Sequence, residues 1–252
     1  MIKWRLVWTS LPFAALMLGL VIVRDNVLRA KGLVALGDVT EILAAVSLIL
    51  GLMLAGVLSD YKDSERIPGD LAVTLEGLGD TVESVTGNGA NPGLRMAMRD
   101  LVVTVDDWLQ RRVELDAMDF SMAHFRKALR SAGSDVSESF VGRCLDALHS
   151  LRAPIMRADV IMHTSFLPAG YALMYLLVTV TLILLLAAEY PSRPAEYLLV
   201  TALSLIYIFM LRLVSDLDDP FGYGTAKRRG GSAEVNPYPV VRYRQRLDSE
   251  AS

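Results

Sequence analysis

A single cysteine, Cys144, stands in the whole chain. One thiol forms no internal disulfide, so no covalent staple holds the fold, and such usage suits a reducing compartment. Excess positive charge is missing as well: 25 Lys and Arg stand against 28 Asp and Glu, a formal net charge of -3. That balance offers no basic surface to a phosphate backbone and excludes nucleic acid as a partner. Runs that alternate apolar and polar residues over a strand's length are absent, which leaves an all-α chain. Enzyme signatures are missing too. His124, His149 and His163 lack the H-E-x-x-H arrangement, Cys144 lies near His149 with no orienting partner, and Gly87-Asn-Gly is neither a P-loop nor a dinucleotide fingerprint. No cofactor, no metal and no enzymatic activity are expected.

What is abundant is apolar sequence. Hydrophobic residues make up 53% of the 252 positions, and the mean hydropathy is +0.39. Charged residues still make up 21%, so the two classes must be segregated. Four windows reach the roughly 17–25 mostly apolar helical residues that cross a hydrocarbon core: Leu6–Val23, Ile42–Ser59, Phe166–Ala188 and Tyr197–Leu211, the last continuing past Arg212 to Ser215. Arg212 near a helix end can snorkel its guanidinium to the interface. The first window reads as a retained helix and not a secretory signal, because its apolar run exceeds about 7–15 residues and no A-x-A-like site follows at Arg24-Asp25-Asn26.

Basic residues flanking these spans set the orientation. Lys3, Arg5, Lys62, Arg66, Arg152, Arg157, Lys227, Arg228 and Arg229 fall on one side of a four-span topology, and Arg24, Arg29, Lys31 and Arg193 on the other. Both termini and the middle section are therefore expected in the cytoplasm of a multi-pass membrane protein. The expected organisation is a first transmembrane hairpin over 1–59, a cytoplasmic helical domain over 60–165 inserted between spans two and three, a second hairpin over 166–215 and a cytoplasmic tail over 216–252.

The inserted section carries 12 basic and 17 acidic residues. Leu71, Leu75, Leu78 and Val82 recur every three to four residues, as do Leu94, Met98, Leu101, Val105 and Leu109, each series marking one buried helix face. Turn chemistry at residues 87–93, 131–134 and Ala153-Pro154 divides the section into helices near 69–86, 94–115, 119–131, 135–151 and 155–165. Asp106-Asp107-Trp108 reads as an exposed helical turn with a packed indole. The tail, with Lys227-Arg-Arg-Gly-Gly and Asn236-Pro-Tyr-Pro239, reads as extended or disordered unless a partner orders it.

The second span begins at Asp38-Val-Thr-Glu41, a capping-box arrangement. Within it Ser47, Gly51, Ala55 and Ser59 recur every fourth residue as a small-residue stripe of the kind that lets membrane helices approach closely. Ala44, Leu48 and Leu52 form a neighbouring stripe, open to a partner helix or a pore. Past Ser59 the helix continues into water through Asp60, Lys62, Asp63, Glu65 and Arg66, and Pro68 is expected to stop it, since Ile67 before proline disfavours helix.

The run Leu50-Gly-Leu-Met-Leu-Ala-Gly-Val-Leu-Ser-Asp-Tyr-Lys-Asp-Ser-Glu-Arg-Ile-Pro68 resembles the second transmembrane segment of the bestrophins, and Asp219-Pro220-Phe221-Gly222 is similar to the motif that follows their last span. The order agrees: two spans, a helical block, two spans, then this motif. The D-Y-K-x-S-E-x-I-P and L-D-D-P-F-G phrases look, more narrowly, like the bacterial bestrophin-like group. The resemblance implies a pentameric homo-oligomer in a lipid bilayer that passes small anions, with Leu48 and Leu52 at positions where bestrophins place neck aromatics and Ala44 one turn earlier. Rings of apolar side chains gate by dewetting and penalise strongly hydrated ions most.

Departures from that pattern accompany it. Leucine replaces phenylalanine at both neck positions, alanine replaces the earlier bulky residue, Tyr61-Lys62 stands for twin tryptophans, and Asp38 and Glu41 repel anions at the outer mouth unless Arg24, Arg29 or Lys31 pairs with them. Asp216, Asp218 and Asp219 have the oxygen ligands a hard cation takes, but they precede the P-F-G motif, whereas the calcium-binding run of animal bestrophins follows it. A solvated juxtamembrane cluster is the preferred reading. Two other functions stay open: a non-conducting scaffold or regulatory protein binding a partner through its cytoplasmic helices, and a membrane-surface metal-dependent enzyme built from Asp60, Asp63, Glu65 and His163 with the acidic cluster.

Overall fold

The computed structural model describes residues 4–28, 32–86, 91–132, 136–163, 168–222 and 233–250. Among them are eight α-helices: α1 (Arg5–Val23), α2 (Leu36–Thr86), α3 (Pro92–Leu109), α4 (Leu115–Ser131), α5 (Glu138–His163), α6 (Pro168–Ala187), α7 (Arg193–Leu217) and α8 (Tyr238–Glu250). A π-helical turn, Arg24–Leu28, follows α1, and two-residue strands β1 (Val34–Ala35) and β2 (Ala188–Glu189) pair in parallel. Helices α1, α2, α6 and α7 are long and apolar enough to cross a membrane. The chain divides into two compact units, one of residues 1–61, 165–219 and 231–233, the other of 62–164, 220–230 and 234–252.

Helix α2 is 51 residues long and runs through Pro68, where a stop was expected. A mid-helix proline costs about 3 kcal/mol through its missing N–H and its clash with the preceding turn. The packed face outweighs that cost. Val46, Leu50, Val57, Ser64, Ile67, Leu71, Leu75, Leu78 and Val82 are all buried, as is Pro68 itself. With half-buried Met53 and Tyr61 between them, these positions keep a spacing of three and four residues across the whole apolar-to-charged boundary. The capping box is not formed, because α2 starts at Leu36 and Asp38 falls within its first turn. Helix α5 likewise continues through Pro154, with Leu151, Ile155 and Ala158 buried on either side.

In the first unit, Val46, Leu50 and Val57 of α2 pack with Met174 and Val178 of α6 and Tyr207, Val214 and Leu217 of α7. A second cluster joins Met17 and Val21 of α1 to Leu185 and Val200. One end of this unit is tied by polar contacts. The β1–β2 pairing brings Gly32 so close that a side-chain carbon there would fall 2.5 Å from the Glu189 nitrogen, a clash only glycine avoids. Beside it, the Arg24 guanidinium donates through Nη2 to Asp25 at 2.8 Å, and also to Glu196 of α7 and the Leu186 carbonyl of α6. These side chains are 17%, 8% and 7% exposed for Arg24, Asp25 and Glu196, so three elements converge on one half-buried cation.

In the second unit, α3 begins with Pro92 in the first turn, after Asn91 in the left-handed region at φ 49°, where a short polar side chain is tolerated. It ends at Leu109, six residues short of expectation, because Arg111 turns the chain at φ 55°. Asp106 is buried, contrary to the exposed turn expected, and accepts from Gln110 at 2.6 Å and from Arg244 at 2.7 Å. Arg244 also reaches Asp107 at 3.1 Å; hydrogen bonds to Asp106 above all raise its already high pKa. The tail segment is thus neither extended nor disordered over α8, which docks on α3 of its own chain. Tyr243, 3% exposed, seats its hydroxyl against Gly79, where an added side-chain carbon would lie 1.9 Å from the Tyr243 oxygen. Cys144 is buried in α5, and burial pushes its thiol up to about 11 from an ordinary 9.0, with Arg143 pulling weakly the other way.

Three outcomes follow from these contacts. Arg24→Ala strands two buried carboxylates and should cost about 3–5 kcal/mol, read as a lower melting temperature in detergent that Glu196→Gln partly restores. Gly79→Ala should expel Tyr243, read as faster amide exchange over α8 with α3 unaffected. Because the unfolded thiol of Cys144 ionises first, its burial should cost stability as pH rises from 9.0 toward about 11, a loss measured as the difference from Cys144→Ala across that range.

Candidate functional site

The candidate site is the exposed face of α2. At about 100° per residue, Leu48 and Leu52 lie roughly half a turn around the helix from the Val46, Leu50 and Val57 core stripe. Each is 66% exposed in the single chain, and Ala44 between them and the helix start is exposed too. The face is apolar, carries no charge between Ile42 and Ser59, and is claimed by no other element of the chain among the described residues.

The small-residue stripe is divided by the fold. Ser47 meets the Tyr207 hydroxyl of α7 at 2.8 Å, and Gly51 is half-buried, while Ala55 and Ser59 are exposed. Within the chain the packing seam is the adjacent line through Val46, Leu50 and Val57. Tyr207 is 2% exposed and also donates to the Leu43 carbonyl at 3.3 Å. Sequence reasoning missed it; the available signal was a lone hydroxyl-bearing ring in the middle of an apolar span, a polar group that must find a partner.

Asp38 and Glu41 are exposed near the start of α2. Arg24, one of the cations expected to neutralise them, spends its guanidinium on Asp25 and Glu196 instead. Arg29 and Lys31, the others, lie outside the described residues, as do Lys227, Arg228 and Arg229. Arg212 sits 5.1 Å over the Phe13 ring of α1, a cation–π contact that anchors its charge beside an aromatic face.

The tail motif is held firmly. Pro220, Phe221 and Gly222 are buried and Asp219 is half-buried, and the Pro220 carbonyl accepts from the Val235 amide at 2.9 Å. The acidic cluster has structural partners: Asp218 follows the last turn of α7 and accepts from the Tyr171 hydroxyl at 2.9 Å. For the enzyme reading, Asp63 pairs with Arg157 at 3.3 Å and His163 bonds within its own helix to Asp159. No group of three acidic, histidine or cysteine side chains is placed to hold a metal among the described residues.

No family model matches the sequence, and no curated protein matches it. The backbone, by contrast, is similar to crystal structures of a bacterial bestrophin homologue from Klebsiella pneumoniae. One carries a point mutation and gives a TM-score of 0.74 at 11% identity, covering 96% of this chain and 98% of that one. Another, solved by zinc phasing, gives 0.73 at 13% identity, covering 96% and 97%. A third structure, described as a membrane protein with a point mutation, gives 0.74 at 12% identity over 97% of both chains. Identities this low speak for architecture alone, and the likeness runs through nearly the full length of each chain: the protein has a bestrophin-like fold, built on four helices long and apolar enough to cross a membrane.

Proposed function

We propose that the protein is a bestrophin-like channel, a pentamer of identical chains that conducts small anions across a bilayer through a neck lined by Ala44, Leu48 and Leu52. The observation that carries this reading is the free apolar face of α2, with Leu48 and Leu52 each 66% exposed, in a fold that matches bestrophin homologues over 96% of the chain. Lipid would cover such a face as readily as a pore axis, and the fold is what favours the axis.

The chemistry of the neck follows from its residues. A circle of leucine side chains presents no hydrogen-bond partner, so an ion must shed water to pass, and weakly hydrated anions lose least. Leucine in place of a phenylalanine ring removes the aromatic edge, and the exposed Asp38 and Glu41 draw no charge from Arg24, which is committed to Asp25 and Glu196; selectivity in this reading rests on hydration. In this arrangement Ala55 and Ser59, exposed in the single chain and on the same face as Leu48 and Leu52 at about 100° per residue, continue the wall of the passage beyond the neck. The second unit and both termini lie in the cytoplasm, following the basic residues that flank the spans.

A non-conducting scaffold draws support from Phe120 and Val73, 75% and 71% exposed on the second unit, and flux separates the two readings. Purified protein in proteoliposomes is expected to pass nitrate and chloride, and Leu52→Ala, which wets the constriction, to raise chloride flux about tenfold for a barrier lowered by about 1.4 kcal/mol. Particle images should show a five-fold ring with α2 innermost. Flux unchanged by Leu52→Ala, or a closed monomer or dimer, would end the channel reading.

A further inference from the structure

The exposed face of α2 has a direction, and something must hold it. Leu48 and Leu52 can face a common axis only if α2 keeps its rotation about its own length. Apolar packing through Val46, Leu50 and Val57 sets that rotation loosely, because aliphatic side chains of similar size can repack around a rotated helix at modest cost. Hydrogen bonds are directional and do not slide.

In the first unit Tyr207 ties α7 to α2 by hydrogen bonds at the level of the neck. Tyr207, 2% exposed in α7, donates to the Leu43 carbonyl at 3.3 Å and shares a 2.8 Å bond with the Ser47 hydroxyl. With Tyr207 donating to Leu43, the Ser47 hydroxyl donates to the Tyr207 oxygen. The two contacts fall one turn apart on α2 and bracket Ala44; Leu48 follows Ser47 directly. A phenol held at two points on one helix flank fixes azimuth, whereas a single contact would leave a pivot. Functional side chains need support within about 10–20° of their working geometry, less than one residue's rotation.

We infer that Tyr207 is a positioning residue for the neck: through Leu43 and Ser47 it sets the rotation of α2 that turns Leu48 and Leu52 toward the passage. The inference rests on the channel reading above. It also assigns Ser47, the first member of the small-residue stripe, a role as a hydrogen-bond partner inside the chain in place of a contact between copies.

The test reads rotation directly. A thiol introduced by Leu48→Cys in full-length protein in liposomes is titrated with a membrane-impermeant thiosulfonate; Cys144, buried with a thiol held protonated at neutral pH, stays silent. Tyr207→Phe keeps the ring and removes the oxygen. Added to Leu48→Cys, it should slow modification about fivefold, the shift expected from losing about 1 kcal/mol of interhelical hydrogen bonding at 1.4 kcal/mol per decade. Ser47→Ala should act the same way and Ser47→Thr, which keeps the hydroxyl, should restore the rate, with the melting temperature of all variants nearly constant. A rate that Tyr207→Phe leaves unchanged, in protein whose Leu48→Cys thiol is modified, overturns the positioning role and leaves the neck standing. A Leu48→Cys thiol that the reagent never reaches overturns both, since no passage then needs a positioned wall.

Discussion

One constraint shapes this molecule: α2 must bury a single stripe along 51 residues while its surroundings change from hydrocarbon-like to charged. The stripe through Val46, Leu50, Met53, Val57, Tyr61, Ser64, Pro68, Leu71, Leu75, Leu78 and Val82 meets it by keeping three- and four-residue spacing throughout. Everything off the stripe is free to vary, and does. Above the boundary the outer face is leucine and alanine; below it the outer face is Asp60, Lys62, Asp63, Glu65 and Arg66. Continuity of the buried side is what lets Pro68 sit mid-helix, because the lost amide bond and the ring's clash are offset by apolar contacts before and after it.

The two units solve their remaining problems with charge in different ways. In the first, Arg24 gathers Asp25, Glu196 and the Leu186 carbonyl at one end of the bundle, where α1 and α6 finish and α7 begins, leaving polar groups to satisfy. In the second, Arg244 brings α8 onto α3 through Asp106 and Asp107, with Tyr243 keyed against Gly79. Both sites commit a cation to two carboxylates. Neither guanidinium is left over for an anion.

Much of this was legible in the amino-acid order. The four spans, the helical periodicity of Leu71–Val82 and Leu94–Leu109, the two motifs and the resemblance they carry all come from local pattern. What misled was local too. Ile67-Pro68 and Ala153-Pro154 are helix-breaking signals in isolation, and they yielded to packing that involves residues far along the chain. Asp106 reads as solvated until Arg244, 138 positions on, arrives beside it; Ser47 reads as part of a packing stripe until Tyr207, 160 positions on, takes its hydroxyl.

Taken alone, the sequence determined how much of the chain is helix, which segments suit a bilayer and which faces are apolar, because burial and backbone hydrogen bonding act through spacings of three and four residues. Tertiary structure decided which apolar face is consumed inside the chain and which is left over, since that depends on the direction a helix turns once its partners dock. Val46 and Leu48 are equally greasy on paper; only the contact with Met174, Val178 and Tyr207 makes one of them core and the other surface.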